Sequence, residues 1–99
     1  MNPSIKPVMK VRIGEGPDAL IRVIRGRDAW LLAKLIDRGE RGLTPFDEIG
    51  PRSSHYAHKL RKAGCIIETV DEAHGGPFAG THGRYILRSS VEIIERAGL

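Results

Sequence analysis

The Gly50-Pro51 pair is the feature that most restricts how this chain can fold. Proline has no backbone N–H and clashes with the preceding helical turn, and glycine readily ends a helix, so no regular helix continues through this point. Residues on both sides nevertheless have helical patterns, one starting at Thr44 and the next near Ser53. The sequence therefore predicts a short helix, a tight turn and another helix between residues 44 and 63.

Thr44-Pro45-Phe46-Asp47 has the composition of a helix start. Thr44 is able to accept hydrogen bonds from the free N–H groups of a first turn, and Pro45 suits the first helical position. Asp47 stands at the spacing of a capping box. Because Gly50 and Pro51 follow within about two turns, this predicted helix is short.

The helix predicted over residues 52–63 has two chemically different sides at 100° per residue. Its inner side combines small and apolar groups: Ser53, Tyr56, Ala57 and Leu60. Its outer side is polar or basic and contains no acid: Ser54, His55, His58, Lys59 and Lys62. We expect the inner side to pack on the core and the outer side to face solvent.

The preceding segments predict a hairpin and a first helix. Residues 8–13 alternate apolar and basic side chains, a turn cluster follows at 14–18, and residues 20–24 form a second apolar run. Residues 28–38 have apolar side chains at helical spacing before Gly39. We therefore expect an N-terminal arm or hairpin over residues 1–25 and a separate main domain over 26–99.

The C-terminal third predicts two strands and a last helix. Residues 65–70 and 84–88 are rich in strand-forming side chains, and the glycine-rich segment 71–83 between them reads as a long loop. Ser89-Ser90-Val91-Glu92 repeats the capping-box spacing, and apolar residues follow it. We expect a C-terminal helix there.

Three short motifs carry a resemblance to a known family: Gly42-Leu43-Thr44-Pro45, the helix end at 56–64, and His82-Gly83-Arg84-Tyr85. In this element order, residues 29–88 resemble a winged-helix domain of the helix-turn-helix class, of the small bacterial or prophage type. The resemblance implies an α+β fold with a three-helix core and a small antiparallel sheet. An N-terminal arm or hairpin and a C-terminal helix would complete it.

The charge distribution and the resemblance together indicate a nucleic-acid partner. The chain has 16 Lys and Arg against 12 Asp and Glu, and segments 49–67 and 73–90 contain basic residues and no acid. The resemblance implies a duplex DNA-binding transcriptional regulator, with helix 52–63 in the major groove and wing 71–84 on the backbone or minor groove. A homodimer would double the site. Candidate contacts lie on three elements: Thr44, Arg52, Ser53, Ser54, His55, His58, Lys59, Lys62, His82 and Arg84.

Other functions receive less support from the residues. A winged-helix module that binds proteins would need an apolar outer side on helix 52–63, and a structured-RNA binder is a third possibility. The lone Cys65 forms no intramolecular disulfide, and it is expected to be a small core residue rather than a nucleophile or zinc ligand. We expect no enzyme activity, cofactor, metal, small-molecule substrate or membrane span, and a cytoplasmic location.

Overall fold

The computed structural model describes residues 6–47, 52–77 and 79–98. Within these residues the chain forms five strands and two α-helices, with 3-10 turns at Gly16–Asp18 and Gly39–Arg41. The elements follow one another as β1 (Val8–Ile13), β2 (Leu20–Arg25), α1 (Gly26–Arg38), α2 (Ser53–Lys62), β3 (Ile67–His74), β4 (Gly80–Leu87) and β5 (Val91–Ala97). The fold therefore combines helices with antiparallel strands in the α+β manner.

The N-terminal segment forms the predicted hairpin. β1 pairs with β2 in an antiparallel register that places Met9 opposite Ile24 and Ile13 opposite Leu20. Met9, Val11 and Ile13 alternate with exposed Lys10 and are almost completely buried, because the strand has one face on the core. The hairpin is thus part of the main packing of the protein.

The C-terminal segment is a strand, and the predicted C-terminal helix is wrong. β5 pairs antiparallel with the free edge of β1, giving a three-stranded sheet of order β2-β1-β5. The Ser89 hydroxyl accepts a hydrogen bond from Ile66 N at 3.0 Å, far along the chain from the first turn it was expected to cap. Val91 and Ile93 are β-branched and half-buried against the core, which favours strand over helix.

The second sheet is a long hairpin of β3 and β4. It pairs continuously from Ile67 opposite Leu87 to His74 opposite Gly80. The expected loop at 71–83 is therefore too long, since most of those residues belong to the strands and the connection covers 75–79. Leu43 adds an isolated antiparallel bridge to Tyr85, with backbone hydrogen bonds of 2.9 and 2.8 Å.

The short helix predicted from Thr44 is only partly within the described residues. Thr44 and Asp47 make the predicted reciprocal bonds: Phe46 N donates to Thr44 Oγ1 at 3.2 Å, and Thr44 N donates to Asp47 Oδ2 at 2.8 Å. The described part, up to residue 47, is a turn, and the continuation to Gly50 and Pro51 lies outside the described residues. The described residues thus contain two helices instead of the expected three-helix core with a further C-terminal helix.

A single hydrophobic core joins both sheets and both helices. Its fully buried large side chains come from β1, α1 and α2: Met9, Val11, Leu31, Leu32, Leu35 and Leu60. Ile24 of β2 and Ile67 of β3 also belong to it. Because α2 supplies the buried Ala57 and Leu60, the core determines how this helix is rotated about its axis.

Gly42 provides a test of how the turn before Thr44 is docked. Its φ is +62°, and a Cβ there would collide with the carbonyl oxygen of Tyr85 on β4. We expect Gly42→Ala to lower the free energy of unfolding by about 2 kcal/mol or more, from strain and overpacking. Urea unfolding followed by circular dichroism measures this change.

Gly75→Ala is the matched control for Gly42→Ala. Gly75 has no heavy atom within 4 Å of an added Cβ and no left-handed φ. Its substitution should leave stability within about 0.5 kcal/mol of the wild type. Equal stability of the two variants would contradict the close approach of residue 42 to β4.

Candidate nucleic-acid interface

The two sides of α2 are separated as its sequence predicts. Ala57 and Leu60 are 0% exposed, and Ser53 and Tyr56 are half-buried beside them. The opposite ridge is exposed and consists of Ser54, His55, His58, Lys59 and Lys62. The rotation inferred from helical periodicity is therefore confirmed. The basic side chains of this helix are directed toward solvent because the apolar ones occupy the core.

One flank of α2 faces the β3–β4 hairpin. Arg61 donates two hydrogen bonds to the carbonyl oxygen of Ile67, at 3.1 and 2.6 Å, and one to Thr69 Oγ1 at 3.0 Å. Its guanidinium also lies 6.0 Å from the ring centroid of Tyr85. Arg61 thus fixes the helix to the hairpin, which agrees with its position beside the outer ridge.

The other flank of α2 faces β2 and the start of α1. Lys59 Nζ lies 3.5 Å from Asp28 Oδ2, and the lysine side chain keeps 53% of its surface exposed. A cleft of about 540 Å³ opens between the two walls. Val23, Ile24, Arg25 and Asp28 form one wall, and His55, His58, Lys59, Leu60, Lys62 and Ala63 form the other.

The β3–β4 hairpin carries its own charge network. Arg84 donates hydrogen bonds to both carboxylate oxygens of Glu72, at 2.6 and 2.9 Å, and to the carbonyl oxygen of Arg41 at 2.6 Å. The hydrogen bonds from Arg84 hold the pKa of Glu72 below its ordinary value, and the same bonds raise the pKa of Arg84. The arginine is thus engaged on three sides within the protein.

His82 belongs to the same network. Its Nε2 lies 3.0 Å from Glu72 Oε1, and its Nδ1 lies 2.9 Å from His74 Nδ1. The exposed ring of Phe46 packs edge-on against both imidazoles, with centroids 5.4 Å from His74 and 5.0 Å from His82. The His82 side chain is only 11% exposed as a result.

Comparison with protein families identifies this arrangement. A family model for the winged helix domain matches residues 21–97, which is most of the chain. The protein belongs to the winged helix domain family. No curated protein and no solved structure gives a match. The resemblance seen in the sequence is therefore confirmed at the level of the family, and the bacterial or prophage subtype stays a prediction.

In this winged-helix protein, α2 corresponds to the helix that was predicted to enter a DNA groove. The β3–β4 hairpin corresponds to the predicted wing. Winged helix domains are typically DNA-binding modules without enzyme activity, so the family match suggests DNA binding in general. None of the described helices has the length and apolar character needed to cross a membrane.

The structure separates the predicted contact residues into two groups. On α2 and at its start, Ser53 is half-buried on the inner side, and the other predicted residues are exposed: Arg52, Ser54, His55, His58, Lys59 and Lys62. Those on the wing and the preceding turn are engaged internally: Thr44, His82 and Arg84. Thr44 is 5% exposed and its hydroxyl donates to Asp47, so it holds a turn rather than presenting a free group.

Segment 73–90 contains no acid in the sequence, but in the fold it lies beside acids of β3. Antiparallel pairing brings Glu72 opposite His82 and beside Arg84, and Glu68 binds Arg88 at 2.7 Å. Glu72 thus pairs with Arg84 of β4, and Glu68 pairs with Arg88 directly after it. The expectation of a positively charged wing is corrected, because the cross-strand register, rather than the linear spacing, decides which charges meet.

Three residues that matter at this surface were missed by the sequence reasoning: Arg25, Asp28 and Glu72. Extending the alternation of β3 to residue 74 would have placed Glu72 across from His82. No sequence pattern places Arg25 and Asp28 beside α2, since that proximity arises from the tertiary packing of β2 and α1.

Cys65 provides a test of the core beside this surface. It is 4% exposed, and burial raises the pKa of its thiol to about 11. Because the thiolate is the reactive form, alkylation by iodoacetamide near neutral pH should be roughly 100-fold slower in the native protein than in urea. Mass spectrometry of timed samples measures both rates. Equal rates would show that the thiol is accessible.

Asp47 provides a test of the Thr44 turn. The backbone hydrogen bond from Thr44 lowers the pKa of Asp47, with Arg38 at 3.4 Å adding to the effect. A lowered folded-state pKa contributes stability above the unfolded-state pKa and loses it as pH falls through the folded-state value. Asp47→Asn should therefore cost about 1 kcal/mol at neutral pH, and the difference from wild type should shrink below about pH 4.

Urea unfolding at a series of pH values measures the Asp47 effect. Asp37→Asn is the matched control, since Asp37 is exposed on α1 and forms no ion pair within the described residues. A constant difference between Asp47→Asn and wild type at every pH would show that the carboxylate charge is not what stabilises the turn.

Proposed function

We propose that this winged-helix protein binds duplex DNA by placing α2 in the major groove, as a transcriptional regulator does. The observation that carries the proposal is the exposed ridge of His55, His58 and Lys62 on a helix whose other side is locked in the core. The major groove admits one α-helix, and the phosphates beside it attract cationic side chains. The ridge has the shape and charge that this binding requires.

Within the proposed complex the residues of α2 take different roles. His55, His58 and Lys62 are exposed on the outer ridge and would meet base edges or phosphates. Arg52, Ser53 and Ser54 begin the helix, where no side-chain capping bond is present at Arg52. Backbone N–H groups and hydroxyls at such a helix start suit a phosphate oxygen.

The wing takes a supporting role in this proposal. His82 and Arg84 would have to leave Glu72 before either could bind phosphate or enter a minor groove. Their bonds within the wing and to Arg41 instead fix the wing relative to the turn before Thr44. We assign direct DNA contact mainly to α2.

A protein-binding function for the same surface is not favoured. Docking of a partner protein would call for an exposed apolar side on α2, whereas every exposed residue of that ridge is polar or basic. A basic ridge suits a polyanion.

Affinity measurement with a variant of the ridge tests the proposal. Lys62 is exposed and forms no ion pair within the described residues. Lys62→Gln should weaken binding to a fluorescein-labelled duplex of roughly 20 base pairs by about fivefold to tenfold at 0.1 M salt. The reason is that each lost phosphate contact lowers the salt slope, which is the steepness with which the logarithm of the binding constant falls with the logarithm of the salt concentration, by about 0.9. Fluorescence anisotropy between about 50 and 200 mM salt measures both quantities.

Arg12→Gln is the control for Lys62→Gln. It removes the same charge from β1, where Arg12 pairs with Glu92 on the sheet face turned away from the core. We expect no change in its salt slope. Absence of salt-dependent binding by the wild type, or equal losses in the two variants, would contradict the use of α2 in DNA binding.

The regulatory role and the number of copies require a second experiment. Selection of bound sequences from a random duplex pool should enrich one motif if α2 reads base edges. A palindromic motif, together with a dimer mass by light scattering, would support the expected homodimer, since two copies of so small a domain would contact two half-sites. If no motif is enriched, the protein binds DNA without reading its sequence, and this result would contradict a role as a transcriptional regulator.

A further inference from the structure

The groove-facing helix has a hairpin on each side. Arg61 ties one flank of α2 to Ile67 and Thr69 of the wing. On the opposite flank, Lys59 pairs with Asp28, and the cleft separates α2 from β2. A duplex whose major groove receives α2 would therefore have protein beside both of the strands that border that groove.

The two flanks differ in the charge they leave available. On the wing, Glu72 holds Arg84 and Glu68 holds Arg88 through short hydrogen bonds. On the N-terminal hairpin, Arg25 is exposed and forms no ion pair in the part of the chain that the structure describes. The uncompensated positive charge thus lies on the hairpin side.

Basic side chains meet at this cleft beside the apolar side chains of Val23, Ile24, Leu60 and Ala63. Arg25 lines it from β2, and Lys59 and Lys62 line it from α2. Asp28 is the one carboxylate among its lining residues. Its volume of about 540 Å³ is ample for a phosphate group with its flanking sugars, and the cleft opens on the same side as the exposed ridge of α2.

We propose that this cleft is a phosphodiester-binding site, in which Arg25 of the N-terminal hairpin and Lys59 and Lys62 of α2 hold the backbone of one DNA strand. The inference rests on the proposed DNA binding and extends it to a part of the chain outside the helix-turn-helix and the wing. The hairpin then supplies the flanking electrostatic contact that the neutralised wing does not.

Asp28 moderates this site. Its carboxylate lies 3.5 Å from Lys59 Nζ, and the lysine side chain is about half exposed. The aspartate side chain is 18% exposed, so solvent reaches this pair mainly from the lysine side, where Lys59 is able to exchange Asp28 for a phosphate. The remaining carboxylate still repels a phosphate in the cleft, and its neutralisation should strengthen binding.

Two variants with opposite expected effects test the site. Arg25→Gln should weaken binding to a fluorescein-labelled duplex of roughly 20 base pairs by about fivefold to tenfold and lower the salt slope by about 0.9. Asp28→Asn should strengthen binding by roughly twofold to fivefold. Arg12→Gln serves again as the charge-matched control and should match the wild type. Loss of folding cannot explain a gain in affinity, so the second variant guards against a purely structural effect.

The outcomes separate this inference from the proposed function. Weaker binding by Arg25→Gln together with tighter binding by Asp28→Asn supports the phosphodiester site. If both variants match the wild type while Lys62→Gln loses affinity, the hairpin site is refuted and DNA binding by α2 stands. If the wild type shows no salt-dependent binding to the duplex, the proposed function fails and the site fails with it.

Discussion

The burial of Ala57 and Leu60 is the interaction on which the proposed interface depends. Both side chains are fully excluded from solvent, in the same core as Leu31, Leu32 and Leu35 of α1. Burying a leucine contributes about 1.5–3 kcal/mol, far more than any exposed charge on the helix can gain or lose. The apolar side therefore fixes the rotation of α2, and His55, His58 and Lys62 face outward as a consequence.

Strand pairing redistributes the charge of this protein. Acids at 68–72 and basic residues at 82–88 are well separated along the chain, yet β3 and β4 bring them side by side. Arg84 then donates hydrogen bonds to both oxygens of Glu72 and to the backbone carbonyl of Arg41. These bonds fix the wing, but they also occupy the N–H groups with which Arg84 would bind a phosphate. Within the described residues, Arg84 and Arg88 beside the wing are paired with carboxylates, whereas Arg25 of β2 and Lys62 of α2 form no ion pair.

Two identical cap spacings show how far the sequence could predict this fold. The capping-box bonds at Thr44 form because Pro45 begins a turn whose backbone N–H groups have no strand to pair with. The capping box predicted at Ser89 does not form. The edge of β1 is free there, and the β-branched Val91 and Ile93 pair with it and are partly buried against the core. Helix α2, its rotation and the first hairpin were predictable from local periodicity. The partner of β5, the register of the wing and the proximity of Asp28 to Lys59 depend on contacts between distant residues, which no local pattern contains.

The N-terminal hairpin connects stability with the proposed recognition. Met9, Val11 and Ile24 place it in the central core, and the backbone bond from Gly26 N to the Pro7 carbonyl, at 2.7 Å, ties its open end to the start of α1. The backbone at Arg25 and Asp28 is therefore held beside α2 by the core. Ordering a flexible basic arm on binding costs backbone and side-chain conformational entropy, whereas a strand already held by the core avoids the backbone part of that cost. A rigid hairpin of this kind thus makes a better flank for a groove-binding helix than a loose arm of the same charge.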